Sequence, residues 1–265
     1  TNSTYESLYY VQTANIDLSL HYWDAIGTFT SSSNYLAFSG HYDGGNFTIS
    51  GLYTEAGSGS SYSYQGLFGY VRGQSKIDKA IIKNLGIIDS NIQGYRYVGG
   101  VVGEAYYSTV TNCYNTGAVD GSDYVGGVVG YANYSTVTNC YNTGSVSGSG
   151  GYVSGIVGNT YSSSVTNCYS TGVVTGNSSY VGGVVGYTNS SAVTNCYNTG
   201  NITGDGVRVG GVAGYVSSSA VTNCYNTGNI TGGSNVGGVV GYVSSYVTIT
   251  NCYNTGTVTG SEYVG

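Results

Sequence analysis

The chain contains no proline and no methionine, and only 7% of its 265 residues are charged. Intrinsically disordered chains are usually rich in charge and poor in aromatic residues. Here charge is scarce and tyrosine is abundant, with 31 residues, which argues for a packed fold. The formal net charge is −6, which argues against nucleic acid as a partner, because the phosphate backbone binds mainly basic proteins.

Residues for catalysis and metal binding are also sparse. The two histidines, His21 and His41, lie near the start of the chain, so most of the sequence has no histidine with which to form a Ser/His/Asp or Cys/His arrangement. No CxxC pair of zinc-ligand spacing occurs. The sequence therefore predicts no catalytic residue, no metal ion and no cofactor, and a protein that is not an enzyme.

Basic residues are few, and five of the six fall in one stretch: Arg72, Lys76, Lys79, Lys83 and Arg96. We interpret this stretch as the solvated face of a loop. No signal peptide or membrane-spanning run is visible. The chain starts at Thr1 without methionine, as a processed secreted chain or an excised fragment would. Together with the composition, this predicts an extracellular protein at the cell surface.

A repeat of 27 or 28 residues runs through most of the chain. The phrase VTNCYNTG, or a close variant, recurs from residue 110 onwards, and the phrase YVGGVVG recurs half a period later. Such a period, rich in valine and glycine, is typical of solenoids, whose coils bury a core only by stacking. No segment shows helical periodicity. We predict an all-β chain folded as a right-handed parallel β-helix, or β-solenoid, of about eight coils, roughly 40 Å long at the strand spacing.

The predicted organisation has two parts. Residues 1–48 should form an N-terminal capping segment, and residues 49–265 the solenoid, with two irregular coils to about residue 109 and six regular coils after it. Aligning Ile82–Leu85 and Ile49–Leu52 with Val110–Cys113 places leucine where later coils have cysteine, so this position should face the core. The same alignment places Gly51 opposite Asn112. Because glycine and asparagine tolerate left-handed backbone, we expect a bend there.

Two interpretations of the cysteines stay open. They recur once per regular coil, at Cys113, Cys140, Cys168, Cys196, Cys224 and Cys252. Neighbouring coils bring their Cα atoms within the disulfide range of about 4.4–6.8 Å, so pairs such as Cys113–Cys140 are candidate disulfides. Alternatively, the six are buried thiols that act as small apolar side chains.

Tyrosine also recurs in register, in three columns. The first, our candidate interface, comprises Tyr114, Tyr141, Tyr169, Tyr197, Tyr225 and Tyr253. The second comprises Tyr97, Tyr124, Tyr152, Tyr180 and Tyr263, and the third Tyr131, Tyr187, Tyr215 and Tyr242. Stacked tyrosines either stabilise the coils by packing or present an interface to another protein or a glycan.

Two further surface patterns have alternative interpretations. Seven Asn-x-Ser/Thr sequons are candidate N-glycosylation sites or simply turn residues: Asn2, Asn46, Asn133, Asn177, Asn189, Asn201 and Asn229. The outward threonines before each Asn-Cys pair, from Thr111 to Thr250, could form an ice-binding face, or they are ordinary exposed strand residues.

The chain resembles the GLUG-motif repeats of bacterial and archaeal surface proteins. The resemblance rests on Gly66-Leu67-Phe68-Gly69, on its later variant GGVVG, and on the Asn-Cys-Tyr-x-Thr-Gly phrase. It implies a β-solenoid on secreted or surface-anchored proteins, including adhesins and the non-catalytic parts of some large peptidases. It implies no catalytic residues.

Near-identical coils suit a structural element, because every repeat packs in the same way. The last residues, SEYVG, stop within a coil and without a cap, so we expect either that the chain is a fragment or that a neighbouring copy completes its end. The function predicted first is therefore a self-associating extracellular subunit of a filament, sheath or layer. The alternative is a cell-surface adhesin or glycan-binding stalk, with glycans or other surface proteins as partners.

Overall fold

The computed structural model describes residues 8–19, 21–31, 34–55 and 57–265, and in it the chain is a β-solenoid of stacked parallel coils. It has nine coils, one more than expected, because residues 9–17 pair in parallel with the coil after them. We number the coils by the first residue of their leading strand: Tyr9, His41, Ala80, Ser108, Thr136, Ser164, Ala192, Ala220 and Thr248. The predicted capping segment, residues 1–48, thus contributes strands to the solenoid.

Three parallel sheets run the length of the body. The first comprises Tyr9–Val11, Ile16–Asp17, His41–Asp43, Thr48–Ser50, Ala80–Ile88, Ser108–Asn115, Thr136–Thr138, Tyr141–Asn142, Ser164–Thr166, Tyr169–Ser170, Ala192–Thr194, Tyr197–Asn198, Ala220–Thr222, Tyr225–Asn226, Thr248–Thr250 and Tyr253–Asn254. The second comprises Asn91–Gln93, Arg96–Gly99, Ala118–Gly121, Asp123–Gly126, Val146–Gly148, Val153–Ser154, Val174–Gly176, Val181–Gly182, Ile202–Gly210, Ile230–Gly237, Val258–Thr259 and Glu262–Val264. The third comprises Phe68–Arg72, Val102–Tyr106, Val129–Asn133, Val157–Tyr161, Val185–Asn189, Ala213–Ser217 and Val240–Val243.

Two short elements lie outside these sheets. Thr28–Ser31 and Asn34–Leu36 pair in antiparallel fashion, and Ser60–Tyr62 forms a single 3₁₀ turn. Within the described ranges, no helix has the length and apolar character needed to cross a membrane.

The predicted bend at the asparagine before each cysteine is confirmed. Asn112 and its equivalents in the later coils have φ of 53–54°, which is left-handed backbone. The bend turns Val110 and Cys113 to the same side, and both are fully buried. Register confirms the alignment of coil 3, since Ile82 pairs with Val110 and Leu85 with Cys113.

The alignment of coil 2 was wrong. Ile49 pairs with Ile87, five residues beyond the position that the sequence comparison gave it, and Tyr42 takes the place opposite Ile82. The physical reason is a longer bend in coil 2. Four residues, 44–47, lie between Asp43 and Thr48, whereas only Asn84 and Leu85 lie between their partners Lys83 and Gly86 in coil 3. Leu52 is nevertheless buried, but it does not occupy the cysteine position.

The core is a stack of aliphatic columns, each supplied once per coil. Val110, Val137, Val165, Val193 and Val221 form one such column and are completely buried. Each buried valine contributes roughly 1.5–3 kcal/mol relative to an exposed one. Because side chains of similar size recur in register, the coils stack directly above one another. Equivalent side chains on the outer surface therefore also line up in columns along the solenoid.

Candidate functional site

One corner of the solenoid departs from the repeat and forms a groove. From coil 4 onwards, one residue in the turn that leads into the first sheet has φ between 46° and 57° in every coil: Tyr107, Tyr134, Ser162, Ser190, Ser218 and Tyr246. We call these residues the corner column. Tyrosine gives way to three successive serines and then returns, so the serines leave a trough between two aromatic side chains.

The groove has a volume of about 730 Å³ and is open to solvent along its length. From Tyr134 to Tyr246 it extends across four coil steps, roughly 19 Å at the strand spacing. Its walls and floor are small and hydroxylated. One wall carries the first residue of each leading strand: Thr136, Ser164, Ala192, Ala220 and Thr248.

Hydrogen bonds fix the floor of the groove. Between the corner column and that wall lies a buried serine in coils 4 to 8, with Val247 in its place in coil 9. From coil 5 to coil 8 the serine hydroxyl accepts a bond from the backbone N–H of the equivalent serine in the preceding coil. These bonds are 2.9–3.0 Å long and link Ser108, Ser135, Ser163, Ser191 and Ser219. The hydroxyls also donate back to carbonyl oxygens two residues earlier. Because these serines are bonded from coil to coil, the trough is preformed.

Aromatic rings bound the groove at both ends. The Tyr134 ring packs against Tyr107 at 5.1 Å between centroids and against Tyr161 edge-on at 5.6 Å. The neighbouring Tyr161 phenol raises the pKa of Tyr134 above its usual value. A tyrosine hydroxyl is protonated at neutral pH in any case, so it can donate a hydrogen bond. At the other end Tyr246 is 92% exposed, which is unusual for a large aromatic side chain in this chain.

Two lysines reach the Tyr134 end from the loop before coil 3. The Lys79 ammonium donates to Thr136 Oγ1 at 3.1 Å, and the Lys76 ammonium lies 4.8 Å from the centre of the Tyr134 ring. The sequence analysis interpreted this basic stretch as the solvated face of a loop and did not predict that its lysines lie beside the groove. The clustering of basic residues was the only sequence feature that pointed to them, because nothing in the repeat shows that the loop reaches two coils along the solenoid.

The six predicted cysteines form one internal column of free thiols, five buried and Cys252 half-buried. Each Sγ contacts the carbonyl oxygen two residues earlier at 3.2–3.3 Å. The backbone N–H of Cys140 donates to the Sγ of Cys168 at 3.4 Å, and the next coils repeat this bond. Burial raises the pKa of the Cys140 and Cys168 thiols well above the usual range. This geometry favours the interpretation as apolar thiols over disulfides.

The first tyrosine column is a continuous stack. The rings of Tyr114, Tyr141, Tyr169, Tyr197, Tyr225 and Tyr253 lie 4.7–5.1 Å apart and within 4° of parallel. Most are half-buried, and Tyr253 is 53% exposed. The ring faces are used by the neighbours in the column, so only ring edges and hydroxyls remain for a partner. Packing is thus the role that the contacts support.

The second and third columns merge into one aromatic face. Tyr152 and Tyr180 of the second column meet Tyr187 of the third edge-on. In the coil after Tyr180, Arg208 replaces tyrosine; its guanidinium lies 5.1–5.3 Å from the rings of Tyr180, Tyr215 and Tyr242. Tyr263 is separated from Tyr180 by Arg208 and Asn235, which occupy the same position in the two coils between.

One acid is held inside this aromatic face. Glu104 pairs in register with Tyr70 on one side and Tyr131 on the other. Burial raises the pKa of its carboxyl to about 7, and the Arg72 guanidinium partly opposes this rise. Sequence analysis did not find this group, because Glu104 occurs once at a position that is tyrosine in most other coils and asparagine, Asn159, in one.

The predicted sequons lie at the surface where the structure describes them. Asn46, Asn177, Asn201 and Asn229 are exposed, and Asn133 and Asn189 are half-buried. Asn2 lies outside the described residues. The outward threonines, from Thr111 to Thr222, are half-buried, and Thr250 is exposed. In the described part of the chain, no group of three or more His, Cys, Asp or Glu side chains could hold a metal ion.

Comparison with known families agrees with the coil geometry. The model of the GLUG motif matches residues 94–120, 121–147, 177–203, 205–231 and 232–259, together just over half of the chain. The chain belongs to the GLUG-motif family. The unmatched residues 148–176, between two matches, carry Ser154, Asn159 and Ser170, where the neighbouring GLUG repeats have glycine, tyrosine and asparagine.

The fold also matches a solved structure. A crystal structure described as a candidate immunoglobulin A1 protease from Bacteroides ovatus superposes with a TM-score of 0.71. The two sequences are 22% identical over 95% of this chain and 78% of the other. At this identity the likeness establishes the fold alone. No protein of curated function matches the sequence.

Proposed function

We propose that this chain is a non-enzymatic, extracellular GLUG-repeat solenoid that binds glycans in the groove between Tyr134 and Tyr246. The observation that carries the proposal is the groove itself: a preformed trough with aromatic rings at its ends and hydroxyl groups between them. Aromatic rings pack on the apolar faces of sugar rings, and fixed hydroxyls exchange hydrogen bonds with sugar hydroxyls. The groove is long enough for several sugar units in a row.

The lining also supports binding rather than catalysis. Among the described residues, no aspartate, glutamate or histidine lines the groove, whereas glycoside hydrolysis ordinarily uses a pair of carboxylic acids. The coils that form the groove stack in one register. Such a solenoid would hold the groove at a fixed distance from whatever surface carries the protein.

The test uses a variant that fills the groove without disturbing the fold. Tyrosine already occupies the corner column at Tyr107, Tyr134 and Tyr246 with the same left-handed backbone, so Ser190→Tyr should fold normally. On a microarray of neutral and acidic oligosaccharides, the unaltered chain should bind a subset. S190Y should lose this binding at least tenfold, and Tyr246→Ala should weaken it. Tyr263→Ala, which removes a ring that is 78% exposed and outside the groove, is the matched control.

Absence of binding to every oligosaccharide, or equal binding by S190Y and the unaltered chain, would refute the proposal. Unfolding midpoints of the three variants show whether any loss reflects misfolding.

Self-association into a filament, sheath or layer is the second candidate, and one observation favours it. The outer coils expose apolar side chains on edge strands, each paired with a neighbouring coil on one side only among the described residues: Val11 and Ile16 in coil 1, Ile249 and Val264 in coil 9. Coil 9 of one copy would stack on coil 1 of the next, a head-to-tail contact that does not close. Sedimentation velocity over a range of concentrations tests this. Polymers that Ile249→Lys abolishes would support it, and a monomer throughout would exclude it.

A further inference from the structure

The groove is asymmetric in charge. Lys76 and Lys79 both lie at its Tyr134 end, whereas Tyr246 and Thr248 line the other end without a charged neighbour in the lining. The loop that carries the lysines is ordered by Ser75, whose hydroxyl accepts bonds from the N–H groups of Ile77 and Asp78 at 3.2 and 3.1 Å. Lys79 spans from the start of coil 3 to coil 5 to reach Thr136.

In the described part of the chain, these two ammonium groups lack the carboxylate partners that Lys83 and Arg96 have. Lys83 lies 3.1 Å from Asp43, and Arg96 lies 3.6 Å from Asp123. Among the described residues, neither Lys76 nor Lys79 is within ion-pair distance of a carboxylate. A lysine ammonium has three N–H donors, and Lys79 directs one to Thr136. Donors therefore remain for a ligand at both lysines.

The surroundings do not oppose an anionic ligand there. The groove lining contains no acidic side chain. Asp78 lies in the same loop but is exposed and makes no ion pair with either lysine in the described structure. In a chain of net charge −6, the Tyr134 end of the groove is thus a local concentration of positive charge.

We infer that the groove binds an acidic polysaccharide, oriented with a carboxylate or sulfate of one sugar at Lys76 and Lys79 and with the following sugars along the serines toward Tyr246. This rests on the proposed function, which it narrows to a ligand class and a direction. The Tyr134 hydroxyl and Thr136 complete the acid-binding end, and Tyr246 packs on a sugar ring at the far end.

The experiment compares ligands with and without acidic groups. Oligogalacturonates and their fully methyl-esterified forms share one sugar backbone, and sulfated galactan oligosaccharides carry sulfate and no carboxylate. Binding is measured by calorimetry for the unaltered chain, for K76Q/K79Q, and for Lys83→Gln as a lysine control on an ion pair outside the groove.

The unaltered chain should bind an acidic probe more tightly than the ester. K76Q/K79Q should weaken that binding about five- to tenfold, as expected for two solvent-exposed ion pairs. Added salt should weaken binding to the unaltered chain and have less effect on K76Q/K79Q. Tighter binding of oligogalacturonate identifies carboxylate as the recognised group, and tighter binding of the sulfated galactan identifies sulfate.

Two outcomes separate the inference from the proposed function. If acid and ester bind equally and K76Q/K79Q changes neither, the acidic-ligand inference is wrong, although S190Y can still show that the groove binds neutral glycans. If S190Y leaves the binding of every probe unchanged, the groove is not the site and both proposals fail.

Discussion

Replacing Ser170 with asparagine should stabilise the solenoid, because Ser170 interrupts a buried asparagine ladder. In the other regular coils this position is Asn115, Asn142, Asn198, Asn226 or Asn254. Each side-chain amide there donates to the glycine carbonyl two residues on at 2.7 Å. Where the next coil also has asparagine, the amide donates to it at 2.7–2.9 Å. At the interruption, the Ser170 hydroxyl and the Asn198 amide oxygen are buried without a hydrogen-bond partner.

The gain follows from counting bonds. Asparagine at 170 would accept from Asn142 and donate to Gly172 and Asn198, three bonds that contribute about 0.5–1.5 kcal/mol each. Ordering the longer side chain costs about 1 kcal/mol. The net expectation is about 2 kcal/mol of added unfolding free energy. There is room for it, because Gly155 faces Ser170 just as Gly127 faces Asn142 in coil 5.

Urea unfolding followed by circular dichroism would measure the change. Hydrogen exchange would localise it, since repeat proteins need not unfold as one unit. Ser170→Ala is the control that removes the unpartnered hydroxyl without restoring the ladder. Asn226→Ser creates the same interruption in coil 8 and should cost about 2 kcal/mol. The reasoning is refuted if S170N is no more stable than S170A, or if N226S is as stable as the unaltered chain.

Two further predictions concern buried titratable groups. Because the folded-state pKa of the Glu104 carboxyl is raised to about 7, its contribution to stability should be greatest below the unfolded pKa, about 4.3, and fall by about 3–4 kcal/mol as the pH rises from there through 7. This carboxyl is surrounded by Tyr64, Tyr70, Tyr97, Tyr131 and Arg72. Glu104→Gln should remove this part of the pH dependence of stability. If the variant and the unaltered chain showed the same dependence, Glu104 would not be its source. In the native chain, iodoacetamide should modify the half-buried Cys252 before the five buried thiols, and mass spectrometry can follow the order of modification. Detection of disulfide-linked cysteine pairs in the native chain would instead support the disulfide interpretation.

The fold was predictable where the repeat is strict. The asparagine bend and the inward cysteine followed from comparing coils, since one structural position had to accommodate Cys113 and Leu85. Coil 2 was misaligned because its bend is longer, and a sequence comparison without gaps cannot place Ile49 opposite Ile87. Coil 1 was missed because Tyr9–Val11 and Ile16–Asp17 are too short and irregular to show the period.

The candidate site was less predictable, for a physical reason. A repeat identifies what all coils share, namely the core and its supporting ladders. The groove arises from residues that differ between coils: three serines in the corner column and two lysines in a loop that no other coil has. Only the stacking register shows that Lys79, 57 residues before Thr136 in sequence, lies beside it.

The stability that the groove forgoes is an argument that it is functional. At Tyr107 and Tyr134 the corner column gains an aromatic contact, and such contacts contribute about 0.5–1.5 kcal/mol each. Three serines at the next positions give up these contacts while keeping the left-handed backbone, which is costly for residues other than glycine and asparagine. Residues that make the fold less stable than the alternatives at the same position are expected at functional sites. Ser162→Tyr, one coil step from Tyr134, therefore separates the two explanations. A mere packing defect would be filled with a gain in stability and no loss of binding, whereas a ligand groove would lose its ligand.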